Sequence, residues 1–377
     1  MIICLVLGAG LSPVRGQTPA SSPIFTLQPN SYTVAGEHTA VFNVEATGSP
    51  TYQWTFNGTP IYGATDTILM IDGVSATDAG TYACVATNSA GTATSAAATL
   101  TVDTTSTPGY ITNLSGRGFV GSGAANTLIG GFVISGNAPK QLLLRGIGPG
   151  LNSAFGLTGN VSDPLLTLFN ASQTQIAQND NWGGTAQLVT AEATLGAFPV
   201  PSNSLDAMLL ISLPAVAAYT CQITGVGGAT GIGLVEIYDA DASPPAARLV
   251  NISVRAPVGT GENVLIGGFV VGGSTDESVL IRAVGPGLAS SFGIAGTLAQ
   301  PVLNVYDDKQ NLMYTNTVWG GDATLDVAGK IVGAFNLDPS SQDSVVLVTL
   351  PPGAYTAEVS GVNGGTGIAM VEIYEVY

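Results

Sequence analysis

Over most of its length this chain is written twice, and that duplication limits what it can fold into more than any other feature. Leu128-Ile-Gly-Gly-Phe-Val133 returns 137 residues later as Leu265-Ile-Gly-Gly-Phe-Val270, and Arg145-Gly-Ile-Gly-Pro-Gly-Leu151 returns as Arg282-Ala-Val-Gly-Pro-Gly-Leu288. Trp182-Gly-Gly184 returns as Trp319-Gly-Gly321, and Gly231-Ile-Gly-Leu-Val-Glu-Ile-Tyr238 as Gly367-Ile-Ala-Met-Val-Glu-Ile-Tyr374. Solenoid units are only about 20–50 residues long, so this period means a duplicated domain. Within each copy, short apolar runs alternate with clusters of Gly, Pro, Asn and Asp, the pattern of antiparallel strands in a sandwich.

Composition agrees with that reading. Fifty glycines, 21 prolines and 9% charged residues describe short strands joined by tight turns, hence an all-β chain. At 377 residues there is room for three domains, each with its own core. The expected fold is three β-sandwich domains in tandem, the last two being the duplicated antiparallel sandwiches. Twenty-five acids against 9 bases give a net charge of −16, which repels nucleic acid and offers no polybasic patch for anionic lipid.

Upstream of the duplication, Asp78-Ala-Gly-Thr-Tyr-Ala-Cys84 places a turn ahead of a strand, with Tyr82 two residues before Cys84. Trp54 lies about thirty residues upstream, Leu69 and Ile71 alternate inward on an intervening strand, and Asn88 to Gly91 reads as a turn. These motifs resemble an I-set immunoglobulin domain over roughly residues 24–102. The resemblance implies that Tyr82 forms the tyrosine corner and that Trp54 is the core tryptophan of strand C. One position departs from the pattern, because Val44 stands where the first cysteine of the inter-sheet pair belongs. Phe42 and Val44 packed on Trp54 must then replace a bond worth roughly 2–4 kcal/mol.

The ends and joints follow from local composition. Ile2 to Leu11 is apolar, and Gly16 suits cleavage before Gln17, so residues 1–16 read as an export signal, although no positive n-region precedes the apolar run. That run is too short to span a bilayer. Cys4 precedes it, which disfavours a lipid anchor. Residues 17–23 form a polar leader expected to be disordered. Residues 103–109 form a linker, 110–239 the first repeat, 240–248 a second linker with Pro244-Pro245, and 249–377 the second repeat. Secretion or display at the cell surface is expected, with no membrane insertion of the mature chain.

The order Leu303-Asn-Val-Tyr-Asp307, Leu350-Pro-Pro-Gly-Ala-Tyr-Thr356 and a closing glycine-rich hairpin is similar to bacterial β-sandwich modules of the pre-peptidase C-terminal type. It also resembles repeats that accompany immunoglobulin domains in large secreted bacterial proteins. Such a resemblance implies a non-catalytic accessory or surface module.

Residues able to carry chemistry are scarce. His38 is the only histidine and sits in the polar turn Gly36-Glu37-His38, where a solvated role is expected. Neither a Ser/His/Asp nor a Cys/His arrangement can be assembled, and zinc needs more ligands than exist. Gly225 to Gly233 lacks the lysine of a phosphate loop and reads as a hairpin. No acid has the context of a glycosidase carboxylate. Asp307-Asp308 with Asn311 resembles a turn that could hold calcium, but a plain turn is the favoured reading because the first copy has Asn170-Ala171 there. The chain is thus expected to be no enzyme and to need no cofactor or metal.

Two repeated features stand out in so charge-poor a chain. Arg145 and Glu236 recur as Arg282 and Glu372, which suggests an ion pair bracing each sandwich, with an anion site beside the Gly-Pro-Gly turn as the competing reading. Trp182 and Trp319 are each followed by Gly-Gly and suit either a plug closing the sandwich end or a stacking platform for a ligand. The plug is favoured, because Asn179-Asp180-Asn181 becomes Asn316-Thr317-Val318 and the polar neighbours of a sugar site are not kept. The functional expectation is a protein that binds or spaces, in adhesion or cell-surface assembly, with a protein or glycan ligand. The alternative is a carbohydrate-binding accessory protein using Trp182 and Trp319, and a third reading makes it an accessory chain to a separate hydrolase.

Cys84 lacks its strand-B partner, and Cys221 falls where the second copy has Ala357, so both are expected to be buried free thiols. Thiol titration of the denatured chain lacking residues 1–16 should find two reactive groups; finding none would contradict this.

Overall fold

The computed structural model describes residues 21–123, 126–241 and 246–377, and the fold is all-β. The expected signal segment and Cys4, most of the leader, and Pro244-Pro245 lie outside the described residues.

The N-terminal sandwich is built from ten strands. Its larger sheet runs β2 (Tyr32–Ala35), β10 (Ala98–Asp103), β8 (Gly80–Asn88), β5 (Thr51–Phe56) and β6 (Thr59–Pro60), with β9 (Gly91–Thr94) on β8. β3 (Ala40–Asn43) pairs with β7 (Ile68–Ile71), and β1 (Phe25–Leu27) with β4 (Glu45–Ala46). Alternation decides the core, since Phe42 and Val44 on one side meet Trp54, Tyr82 and Cys84 on the other, all buried. Phe42 stacks on Tyr82 with ring centroids 4.8 Å apart. The Tyr82 hydroxyl donates to the Asp78 carbonyl at 2.8 Å and ties down the turn, while the Trp54 indole N–H donates to the Asp66 carbonyl at 2.9 Å. Val44 and Cys84 fill the space with apolar contact, and burial pushes the Cys84 thiol up to about 11. Both Cys84 and Cys221 are buried and free.

Each repeat is a four-on-four sandwich. In the first, β11 (Tyr110–Val120), β13 (Lys140–Ile147), β16 (Ala207–Leu213) and β18 (Gly231–Asp239) form one layer. β12 (Leu128–Gly136), β14 (Pro164–Asn170), β15 (Gln175–Asn179) and β17 (Ala217–Gly225) form the other, with helices α1 (Pro149–Phe155) and α2 (Ala186–Leu195) between strands. The second repeats this plan with β19 (Ala247–Val258), β21 (Glu277–Val284), β24 (Ser344–Leu350) and β26 (Gly367–Glu375) against β20 (Leu265–Gly272), β22 (Pro301–Tyr306), β23 (Leu312–Asn316) and β25 (Gly353–Gly361). Its helices are α3 (Pro286–Phe292) and α4 (Ala323–Ile331).

The copies are not beads on a string. β11 pairs antiparallel with β20 and β12 with β19, so the two sandwiches merge into a pair of continuous eight-stranded sheets. The β11 layer of the first copy runs into the β20 layer of the second, and the β12 layer into the β19 layer, which gives the pair an approximate two-fold symmetry. Joining removes four edge strands that would otherwise expose unpaired amides. One core then fills both copies, with Phe132 stacked on Tyr219 and Phe269 on Tyr355. At the seam the sheets approach so closely that a Cβ on Gly116 would lie 2.3 Å from Val254.

The immunoglobulin-like sandwich packs on the second copy. The Val41 amide donates to Thr349 Oγ1 at 2.8 Å, Ser278 Oγ to the Thr39 carbonyl at 2.6 Å, and Asp276 and Thr33 exchange two hydrogen bonds of 2.7 Å. Val41, Ile68 and Met70 join Leu280, Val345 and Leu347 in one apolar cluster. His38 is corrected by this contact. It is not a solvated turn residue: its Nδ1 lies 3.0 Å from Oε2 of the buried Glu277, and burial, with Arg248 nearby, holds its pKa below the ordinary value.

Glu375 is buried as well: its Oε1 accepts the Ile111 amide at 2.5 Å, and its Oε2 lies 3.6 Å from Arg248. Burial pushes its pKa up to about 8, against the pull of Arg248 and with the help of Glu277, which burial also raises. A raised folded-state pKa means that the folded chain keeps a proton which the unfolded chain releases. This contribution is complete below the ordinary carboxyl range and is lost as pH rises through about 8. His38 acts oppositely, but only below its ordinary value of 6.5. Stability should therefore fall between pH 7 and 8.5 with a slope of at most about 1.4 kcal/mol per pH unit from Glu375. Urea midpoints for wild type and Glu375→Gln should diverge over that interval, the variant showing the flatter profile.

Candidate functional site

The repeated arginines mark the two most ordered polar centres. β13 and β18 place Arg145 beside Glu236 in register, and β21 and β26 do the same for Arg282 and Glu372. Arg145 is fully buried; its Nε donates to Glu236 Oε2 at 2.7 Å, and its Nη1 donates to Glu192 Oε1 and the Phe198 carbonyl, both at 2.8 Å. The guanidinium also lies 4.3 Å from the centre of the Phe198 ring. Tyr238 donates its hydroxyl to Glu236 Oε1 at 2.8 Å. A planar fork suits such a cage, with Nε and Nη1 hydrogen-bonded and Nη2 held by its ion-pair contact with Glu236. Burial nevertheless raises the Glu192 pKa, with Arg145 opposing.

The second centre keeps the aromatic lid and loses a carboxylate. Arg282 lies 4.3 Å from the Phe335 ring and donates from Nη1 to the Phe335 carbonyl at 2.8 Å. Its Nε is 3.0 Å from Glu372 Oε2 but off-line for a hydrogen bond, so that contact is electrostatic in character. The Gly-Pro-Gly turns beside these arginines are already served by the chain itself. Asp206 accepts the amides of Gly148 (2.6 Å) and Gly150 (2.9 Å), and Asp343 accepts those of Gly285 (2.7 Å) and Gly287 (3.0 Å). Those amides are thus not open to an external anion.

Both tryptophans lie under loops. Trp182 is 3% exposed and donates to the Pro201 carbonyl at 3.2 Å; Trp319 is 6% exposed and donates to the Asp338 carbonyl and Ser341 Oγ, both at 3.1 Å. Neither ring presents a face on which a sugar could stack. Trp319 belongs to the cluster that receives the immunoglobulin-like domain. Asp307 spends its carboxylate on the amides of Lys309 and Asn311 and on Asn311 Nδ2, which lowers its pKa, and no group of three or more metal-ligating side chains occurs among the described residues.

Sequence reasoning missed a further pair of arginines. Asn113-Leu-Ser-Gly-Arg117 and Asn251-Ile-Ser-Val-Arg255 are equivalent segments of β11 and β19, and their polar side chains face outward at the seam. Arg255 lines a groove of about 610 Å³ together with Asn251, Ser253, Gly131, Phe292 and Glu372, the last of which faces Arg282. Gly131 comes from the first copy and Arg255 from the second, so the groove exists only because the copies are joined. A side chain at Gly131 would collide with Ser253, a Cβ there lying 2.6 Å from its Oγ. Among the described residues no acid pairs with Arg255, its Nε is buried without a partner, and burial pushes its pKa down. Phe292 at the rim is 57% exposed. On the symmetry-related face Arg117 donates from Nη2 to the Glu262 carbonyl at 3.3 Å, and its Nε likewise has no partner. The available signal was an arginine repeated in both copies without a repeated acid.

Residues 22–88 match the family model for the immunoglobulin domain. Similar solved structures are the tandem Ig repeats of Dlar, at 33% identity over 23% of this chain and 51% of that one with a TM-score of 0.22, and the N-terminal Ig1-2 module of Drosophila receptor protein tyrosine phosphatase DLAR, at 34% identity over 23% and 48% with a TM-score of 0.22. The N-terminal four Ig domains of Dscam1 isoform 6.9 follow at 32% identity over 22% and 20%, with a TM-score of 0.19. The chain spans about half the length of the Dlar structures. No curated protein matches it. The N-terminal domain is therefore immunoglobulin-like. No helix among the described residues is long and apolar enough to cross a membrane.

Unequal pairing of the two buried arginines leads to a test. Arg282→Ala strands one buried carboxylate and should cost roughly 3–5 kcal/mol, whereas Arg145→Ala strands two and should cost more. Urea unfolding of both variants would measure the difference; equal losses would contradict the asymmetry.

Proposed function

We propose that this is an exported binding and spacing protein that works in adhesion or cell-surface assembly and carries out no reaction of its own. Its repeats then serve as accessory modules of the kind they resemble in secreted bacterial proteins. The observation that carries the reading is Arg255, a cation without an acid partner in a chain of net charge −16, lining a seam groove beside a half-exposed phenylalanine. Unpaired charge next to an open aromatic is what a partner carrying a carboxylate beside an apolar side chain would neutralise and cover. A protein segment supplies both groups, and extended backbone is readily accommodated along a sheet face. The glycan alternative rested on Trp182 and Trp319, and their burial removes its platform.

Panning a random-peptide phage library on residues 17–377 would test this. Enriched peptides should carry Asp, Glu or a free C-terminal carboxylate next to an aliphatic or aromatic residue, and Arg255→Gln should weaken their binding about tenfold or more. Enrichment indifferent to Arg255→Gln, or binding on a glycan array without peptide binding, would overturn the reading.

A further inference from the structure

The two copies diverge where Glu192 of α2 becomes Gly329 of α4. The equivalence is fixed by backbone contacts, since the Ala197 amide donates to the Glu192 carbonyl and the Ala334 amide to the Gly329 carbonyl. Glycine inside a helix costs about 1 kcal/mol relative to alanine, so a reason for it should be visible. Conformation supplies none, because Gly329 is helical and does not have a positive φ. Crowding supplies none either, because a Cβ there would meet no atom within 4 Å.

Beside the glycine lies a cavity of about 20 Å³ lined by Arg282, Gly329, Trp319, Phe335, Asp326 and Lys330. That volume is enough for one water-sized sphere. Arg282 is 3% exposed, and its Nη1, the counterpart of the nitrogen that serves both Glu192 and the Phe198 carbonyl in the first copy, donates to the Phe335 carbonyl and to no carboxylate. In the first copy the same space is filled by the Glu192 carboxylate, 2.8 Å from Arg145 Nη1. One guanidinium in this cage therefore already sustains two negative groups in the first copy, while the second copy provides one. Of the acids near the cavity, Glu372 is that one, and Asp326 is engaged by Lys330 at 2.6 Å.

We propose that the cavity between Arg282 and Gly329 binds a small monovalent anion of halide size, which takes the place held by the Glu192 carboxylate in the first copy. A space that admits one water-sized sphere suits a small ion, and water would satisfy an N–H without supplying the charge.

Crystals of residues 17–377 soaked in sodium bromide should show an anomalous peak within hydrogen-bonding reach of the Arg282 guanidinium, about 3.5 Å, and none at Arg145. In solution, replacing gluconate with chloride or bromide at constant ionic strength should raise the thermal midpoint by a few degrees. Gly329→Glu, a residue the first copy already accommodates, should abolish both effects and unfold at a higher temperature than wild type in gluconate. Ordered water without an anomalous peak would overturn the proposal. So would a peak that survives in Gly329→Glu, or a peak with no halide-specific stabilisation, which would identify an adventitious ion only.

Discussion

The strand pairing at the seam is the contact on which the rest of the molecule depends. Each repeat by itself would end in open edges at β11 and β12, or at β19 and β20, and the repeated Gly-Gly on β12 and β20 would leave those edges flat and poorly covered. Pairing copy against copy satisfies the edge amides and lets a single core extend through both sandwiches. It also turns the Ala247 end of the joint into the beginning of a long strand, so the two copies cannot move as independent bodies.

Charge is handled by the same economy of position. Only 9% of residues are charged, and many of those are buried in small closed sets instead of being spread over the surface. Lys140 of the first copy is buried against Asp239 at 2.7 Å and Asp241 at 3.0 Å. At the equivalent strand positions the second copy has Glu277 and Glu375, and these face Arg248 and, from the immunoglobulin-like domain, His38. The lysine of one copy is thus a glutamate in the other, and the glutamate meets His38 of the N-terminal domain, while Lys140 keeps to Asp239 and Asp241. Because buried unpaired charge is costly, such sets specify which surfaces meet more than they add to stability.

The groove at Arg255 arises from the joining of the two copies. Its lining combines residues of β12, β17, β19 and β26 with the rim of α3, drawn from both copies. The symmetry-related arginine, Arg117, is partly engaged by the Glu262 carbonyl, so the two faces are not equivalent.

Much of the architecture was legible from local patterns. Tyr82, Cys84 and Trp54 follow period-two alternation around a recognisable turn, and the repeated Arg145/Glu236 and Arg282/Glu372 pairs could be proposed because two opposite charges recur at matched strand positions. What alternation cannot encode is the partner of an edge strand, since every strand offers the same row of amides on both sides. The joining of the sheets, the seat of the immunoglobulin-like domain on Trp319 and its neighbours, and the burial of His38 were for that reason decided in three dimensions only. Arg117 and Arg255 were visible in the sequence as a repeated arginine without a repeated acid, but the groove beside Arg255 depends on nearness across the seam of two copies, a property of the folded chain alone.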